Sequence, residues 1–317
     1  MNLILLKQSE YRRITKQAFG SHVDFKDLRV TGVVDLPPND ERTKHIRSHL
    51  KKMPGDKVSV GLIRPDGGCR GKASVFELQN GGIRLVPHAE TMIASPRLPE
   101  ITLILAVPFP SRLKYLWPVM ASFATVSRIV IVRGKLSNPE FCQSSALRPS
   151  VYEPMIEAGM SQGGRTRPIK VDICVEDESI SKKLLERLGI VGNNSAADGI
   201  ARIFLDCGDE NATPPPARDV VTEQCGNKDN NSELPSAILA VGPERGWTDE
   251  EADIFVKQCC FSSAMIGSSI LRVDTAVVAG LAVVSAALDE CSHTKSDRAD
   301  CKRRRQDCAS DSTELKR

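Results

Sequence analysis

Two glycine-bearing segments near the carboxyl end of the chain have residue types suited to holding a ligand and moving a proton. The first is Val241-Gly242-Pro243-Glu244-Arg245-Gly246-Trp247, which follows the apolar run Ile238-Leu239-Ala240-Val241. The second is Ile266-Gly267-Ser268-Ser269-Ile270-Leu271-Arg272-Val273-Asp274-Thr275-Ala276. Glycines at a strand-to-helix turn let a ligand approach the backbone. In open α/β sheets ligands sit beyond the carboxyl ends of strands, where such turns lie. Neither segment is a G-x-G-x-x-G fingerprint or a phosphate loop ending in G-K-[ST]. Ile270-Leu271 offers an apolar face for a flat ring. Arg272, Asp274 and Glu244 supply one cation and two carboxylates; Asp274 also suits a helix N-cap.

Elements that would position these residues follow from the pattern upstream. Ile101–Val107 and Arg128–Arg133 read as buried parallel strands, as do stretches near 169–175, 201–206 and 238–241. Helices are expected over 111–125 (with Pro118 as a defect), 150–162, 178–188, from Thr248 onward, and over Asp274–Leu288. A short strand is expected at Ser263–Ile266. The acidic run Asp249-Glu250-Glu251 after Thr248 matches a capped helix start. Such alternation predicts an α/β domain with a parallel sheet over 99–290. Residues 207–235 read as an inserted loop, and 291–317 as a disordered basic tail containing Lys302-Arg303-Arg304-Arg305.

The front of the chain has a different texture. Short β-prone runs at 29–34, 57–63, 69–79 and 82–87 are punctuated by Pro54-Gly55-Asp56 and Pro65-Asp66-Gly67-Gly68. A helix capped by Asp40 runs through Thr43, His45, Ile46, His49 and Leu50. This predicts a small β-barrel over 1–94, joined to the rest by Ala94–Pro99.

The 317 residues suit about two domains, and 41% hydrophobic residues suffice for a sizeable core. Net charge is +3, yet residues 1–98 hold 17 Lys+Arg against 10 Asp+Glu, and residues 99–290 hold 18 against 25. A basic front module beside an acidic larger one fits an RNA-docking domain attached to a catalytic domain. With 4% aromatics, a broad surface of aromatic stacking is disfavoured. No apolar run of membrane-spanning length is expected, so no membrane partner is expected. Ten cysteines without a C-x-x-C read as free thiols in a reducing compartment, and no metal site is expected. His45 and His49 lack a third ligand, and Cys259-Cys260 reads as packing. The amino terminus meets Lys7 too early for a secretory signal, and Glu10 and Asp24 oppose a transit peptide. Cytoplasmic location is expected.

Together the two glycine segments resemble the small-subunit ribosomal RNA uridine-N3 methyltransferases of the SPOUT superfamily. That family carries a G-P-E-G-G turn, then about twenty residues later an L-G-x-x-I-L-R-x-E-T-A segment. Here Arg245 stands for a family glycine and Asp274 for the usual glutamate. Lys44-His45-Ile46 with Pro54-Gly55-Asp56 resembles the family's barrel domain. Glu157-Ala158, Gln162 and Arg165 resemble its E-A…Q-x-x-R stretch.

The resemblance implies a PUA-like amino-terminal barrel, a carboxy-terminal trefoil-knot domain and a homodimer. It implies S-adenosylmethionine (SAM) held by Leu239, Val241, Gly242, Pro243 and Gly246 in one loop. In the other loop the contacts would be Ile266, Gly267, Ser268, Ile270 and Leu271. The implied partner is small-subunit rRNA or the ribosomal subunit, touched by Lys44, His45, Arg47, Gln162 and Arg165. Methyl transfer to uridine N3 needs that nitrogen deprotonated and aligned. Arg272 would hold the anionic uracil edge or a phosphate; Glu244 or Asp274 would accept the proton or orient Arg272. The alternatives are a SPOUT methyltransferase acting on another RNA position and a catalytically silent RNA-binding protein on the same fold.

Overall fold

A computed structural model of the chain describes residues 3–11, 32–65, 67–176, 179–191, 199–206, 208, 213–226 and 234–292. They form two compact units. The first comprises Met1–Arg97, Trp117–Ala124 and Glu153–Ile169; the second comprises Leu98–Leu116, Thr125–Tyr152 and Lys170–Arg317.

In the first unit, β1 (Ile4–Lys7), β2 (Val34–Leu36), β3 (Lys57–Ile63), β4 (Cys69–Glu77) and β5 (Ile83–Pro87) pair in the order β1-β3-β4-β5-β2, with β6 (Ile93–Ala94) on β4. Only β1–β3 is parallel. Ile4 and Leu6 from one edge strand share a core with Val34 and Leu36 from the other. The sheet is therefore curled around a single interior, as a nearly closed barrel. Alternation explains it: Val58 and Val60, then Ala73 and Val75, then Ile83 and Leu85 turn inward. Asp40 caps α1 (Glu41–Lys44), its carboxylate accepting from Arg42 N at 2.8 Å, and a wider π turn, His45–His49, carries Ile46 into the core. β1 is absent from the expected strands, and residues 29–31 of the first expected strand lie outside the described residues.

α3 (Pro149–Gly163) ends on this unit. Leu3 and Ser161 exchange a backbone bond of 3.1 Å and a side-chain bond of 2.6 Å. Thr166 Oγ1 donates to Gly67 O at 2.7 Å. Ser95, in the expected linker, is anchored 2.6 Å from the Thr166 hydroxyl.

The second unit is built on an all-parallel sheet, ordered β12-β10-β11-β7-β8-β9. Its strands are β7 (Glu100–Ala106), β8 (Val126–Val132), β9 (Lys170–Cys174), β10 (Ile200–Leu205), β11 (Ser236–Val241) and β12 (Ser262–Ala264). Leu103, Ile104 and Leu105 are fully buried in succession, because helices cover both faces of a parallel sheet. The helices are α2 (Pro110–Ser122), α4 (Lys182–Arg187), α5 (Ala217–Gly226), α6 (Asp249–Asp253) and α7 (Val273–Ser292). Both α2 and α3 contribute segments to the first unit.

Three expectations are corrected. The 207–235 loop contains α5, because Ala217, Val220, Val221 and Cys225 recur at helical spacing and are buried. The tail begins later than 291, since Cys291 is a buried residue of α7; residues 293–317 lie outside the described residues. α7 is long and apolar enough to cross a membrane by length and composition, contrary to the sequence reading. Val277, Leu281, Val284 and Leu288 of that helix are nevertheless fully buried within the protein.

Candidate functional site

The two glycine segments meet. They line one cavity of about 440 Å³ at the carboxyl ends of β10, β11 and β12. One wall is the turn from Val241 to Trp247; the other is the loop with Ile266, Gly267, Ser269, Ile270 and Leu271. Phe204, Leu205 and Asp206 at the end of β10 close the third side. The volume lies within the range of small-molecule sites.

The first wall is held from behind. Trp247 packs edge-on to Phe255 with ring centroids 5.1 Å apart, and Phe255 contacts Phe204 and Phe261 at 5.2 and 5.0 Å. Thr248 caps α6 reciprocally: its hydroxyl accepts from Glu251 N at 3.3 Å, and Glu251 Oε2 accepts from Thr248 N at 3.0 Å. The other oxygen of the fully buried Glu251 accepts from Lys135 N at 2.9 Å, tying the end of β8 to the turn. Replacing Glu251 by alanine orphans both donors, at about 1–3 kcal/mol for each unmet group. Urea unfolding should show that loss as a lower midpoint with an unchanged slope.

Glu244 is engaged. Its Oε1 accepts from Phe109 N at 2.9 Å and from Arg112 Nη1 at 2.8 Å. It therefore fixes the turn to the start of α2. Gly246 has φ +73°, a left-handed conformation that suits glycine. A Cβ on Gly242 would lie 3.1 Å from the Trp247 ring, whereas one on Gly267 meets no atom within 4 Å.

In the second wall, Leu271 and Val273 line the cavity and Arg272 lies between them with its side chain 67% exposed. Arg272 Nε is 3.3 Å from Asp274 Oδ1, a buried atom with no hydrogen bond. Asp274 is the second residue of α7 rather than its N-cap, because the helix begins at Val273. A carboxylate in the first turn still suits the helix dipole.

Of the expected ligand contacts, Val241, Gly242, Pro243, Gly246, Ile266, Gly267, Ile270 and Leu271 line the cavity. Two do not. Leu239 is buried in mid-strand, with its Cδ2 near where a Gly280 Cβ would sit. Ser268 gives way to its neighbour Ser269. The end of β10 and Arg112 were missed by sequence reasoning, and Trp247 was quoted only as the last residue of its segment. Only the apolar run of 201–206 pointed toward the first of these.

The expected RNA contacts divide. Gln162 is exposed. Arg165 is 6% exposed, and its guanidinium donates to Arg167 O at 2.6 Å and to Ala124 O. Its expected surface role is therefore corrected to a tie within the first unit. Lys44 pairs with Glu41 at 2.6 Å and Arg47 with Glu77 at 2.8 Å, both exposed pairs that phosphate can displace cheaply. The His45 and His49 rings stack at 5.1 Å. Burial and the neighbouring His49 hold the His45 imidazole below its ordinary range. Cys259 is buried and its thiol is pushed up to about 11, chiefly by burial, which leaves it inert at neutral pH. Cys260, expected to pack, is exposed instead at φ +60°. No group of three metal-ligating side chains occurs among the described residues.

Comparison with known proteins adds to this geometry. The chain is 23% identical over 293 residues to ribosomal RNA small subunit methyltransferase E of Treponema pallidum, covering 90% of this chain and 91% of that protein. It is 23% identical over 252 residues to ribosomal RNA small subunit methyltransferase E 1 of Borreliella burgdorferi, covering 79% and 92%. A crystal structure of ribosomal RNA small subunit methyltransferase E from Neisseria gonorrhoeae, bound to S-adenosyl methionine, superposes with a TM-score of 0.57 at 18% identity, over 90% of this chain and 97% of that one. The family model of the RNA methyltransferase domain matches residues 96–285, a span holding both cavity loops and every strand of the parallel sheet. The chain belongs to the RNA methyltransferase family.

Proposed function

We propose that this protein transfers a methyl group from SAM to N3 of a uridine in small-subunit rRNA. The observation that carries the reading is the convergence of two glycine-bearing loops on one cavity, with Arg272 in the chain between two residues that line it. The residues present fit SAM. Ile270 and Leu271 supply an apolar face, the loop backbones supply polar groups, and the indole N–H of Trp247 is a buried donor without an acceptor. SAM supplies the electrophilic methyl when bound.

The chain's own groups would do the rest. Arg272 would stabilise the negative charge that develops on the uracil as N3 loses its proton. Asp274 would orient Arg272 through the 3.3 Å ion pair. Glu244, already committed to Arg112 and the Phe109 amide, would hold the ligand turn in shape. We also infer a trefoil-knot domain and a homodimer. Val278, Ala279, Ala282, Val283 and Ala286 form an apolar stripe along α7 that is partly or fully exposed, which a second copy would cover.

Calorimetric titration with SAM tests cofactor binding. Nucleoside mass spectrometry of rRNA from a deletion strain tests the base: loss of N3-methyluridine supports the reading, and its retention overturns it. Docking would rest on the basic first unit. RNA affinity should fall steeply between 50 and 200 mM salt, by on the order of a hundredfold for a handful of phosphate contacts. Reversing the expected RNA contacts Lys44 and Arg47 to glutamate in the full chain should flatten that slope. A cut at residue 98 would be a poor test, because 117–124 and 153–169 belong to the first unit.

A further inference from the structure

Phe109 is a large apolar side chain left 51% exposed, and everything around it holds it still. Its ring and that of Phe141 make a T-shaped contact with centroids 4.9 Å apart. Pro108 and Pro110 flank it. A residue before proline is confined to extended backbone, and Pro110 opens α2. Its amide donates to Glu244 Oε1 at 2.9 Å, so the ring is rooted beside a residue that lines the cavity. Arg112, one helical turn on, closes the same carboxylate at 2.8 Å. An exposed ring ordinarily gains from a mobile or buried setting. This one is fixed by two prolines, an aromatic neighbour and a hydrogen bond, at the margin of the ligand site.

We propose that Phe109 is the stacking platform for the base being methylated. The inference rests on the functional reading above and adds a residue to it. A nucleobase presented to a buried cofactor must leave its own stack, and an aromatic face at the site replaces what it loses. The low aromatic content of the chain disfavours a broad stacking surface, but one ring suffices for one base. The T-shaped contact with Phe141 is not a parallel stack, and half of the Phe109 surface stays open to a base. Arg112 stays paired with Glu244 and fixes the loop that carries the ring, so it acts as a positioning residue.

The test uses the full chain, unmethylated small-subunit rRNA from the deletion strain, and four variants: Phe109→Ala, Phe109→Leu, Phe109→Tyr and Phe109→Trp. Each is titrated with SAM, assayed for methylation and measured for rRNA binding. Phe109→Ala should lower kcat/KM for rRNA about tenfold or more with SAM affinity little changed. Tyrosine and tryptophan should restore most of the loss, and leucine should not. Restoration by leucine would reduce the ring to packing against Phe141 and overturn the proposal. So would unchanged kcat/KM in the alanine variant, or a dimer that sediments as a monomer once the ring is removed. Should the wild-type chain bind no SAM, the functional reading fails, and the rRNA-binding measurements on the same variants still decide the role of the ring.

Discussion

Replacing Arg272 by alanine should slow single-turnover methylation by roughly a hundredfold, the cost of one preorganised charge contact at about 3 kcal/mol, while SAM affinity changes little. The expectation follows from where the side chain lies. Its neighbours Leu271 and Val273 line the cavity, yet the side chain itself is 67% exposed and, among the described residues, makes its ion pair with Asp274 alone. Such a group contributes little to the stability of the protein. It is placed to meet charge that arrives with the substrate. Lysine should recover only part of the rate, because an ammonium lacks the planar fork that grips an imide edge. Asp274→Asn separates orientation from charge. If Asp274 only aims Arg272, the asparagine variant should lose less than the alanine variant at 272, and its pH–rate profile should keep the wild-type shape. If Asp274 accepts the N3 proton, the acidic limb of that profile should vanish. Rate and SAM affinity must be measured on the same preparation. An Arg272→Ala protein that methylates normally removes the residue from the chemistry. One that loses SAM affinity in parallel makes Arg272 part of the cofactor loop.

What the sequence made legible was local. Thr248 with Glu251 three residues on announces a capped helix, and the structure places both halves of that capping box. Asp40 announces α1 in the same way. The continuous apolar run of β7 announces a strand buried on both faces. Where chemistry depends on distant partners the chain gave no signal. Glu244 read either as a proton acceptor or as an orienting group, and its partner Arg112 lies 132 residues away. Arg165 read as an RNA contact because its stretch resembles the family's Q-x-x-R. Its burial comes from a carbonyl at Ala124, on a separate segment. α5 was hidden by its surroundings. Pro214-Pro215-Pro216 and the polar run after 226 set the tone of the region, and ten helical residues between them carry only four buried positions.

Gly267→Val should weaken SAM binding by roughly a hundredfold or more without lowering the melting temperature, and the structure explains why those effects separate. A Cβ built on Gly267 meets no protein atom within 4 Å, and its backbone lies outside the left-handed region. The folded protein therefore has room for the side chain. Gly267 is part of the cavity lining, so a side chain there is expected to take up ligand space. Two methyl groups placed where a ligand must pack cost on the order of 3 kcal/mol of binding, roughly a hundredfold in affinity, and more if the loop cannot move aside. Gly242 is the control with the opposite geometry. A Cβ there would press on the Trp247 ring at 3.1 Å, and that ring leans on Phe255 in the core. Gly242→Val should consequently lower stability and SAM affinity together. Scanning fluorimetry without ligand and calorimetry with SAM distinguish the pair. A Gly267→Val protein that binds SAM as tightly as wild type would place the cofactor outside this cavity. A loss of stability equal to that of Gly242→Val would mean the 266–271 loop packs in solution in a way that closes the space.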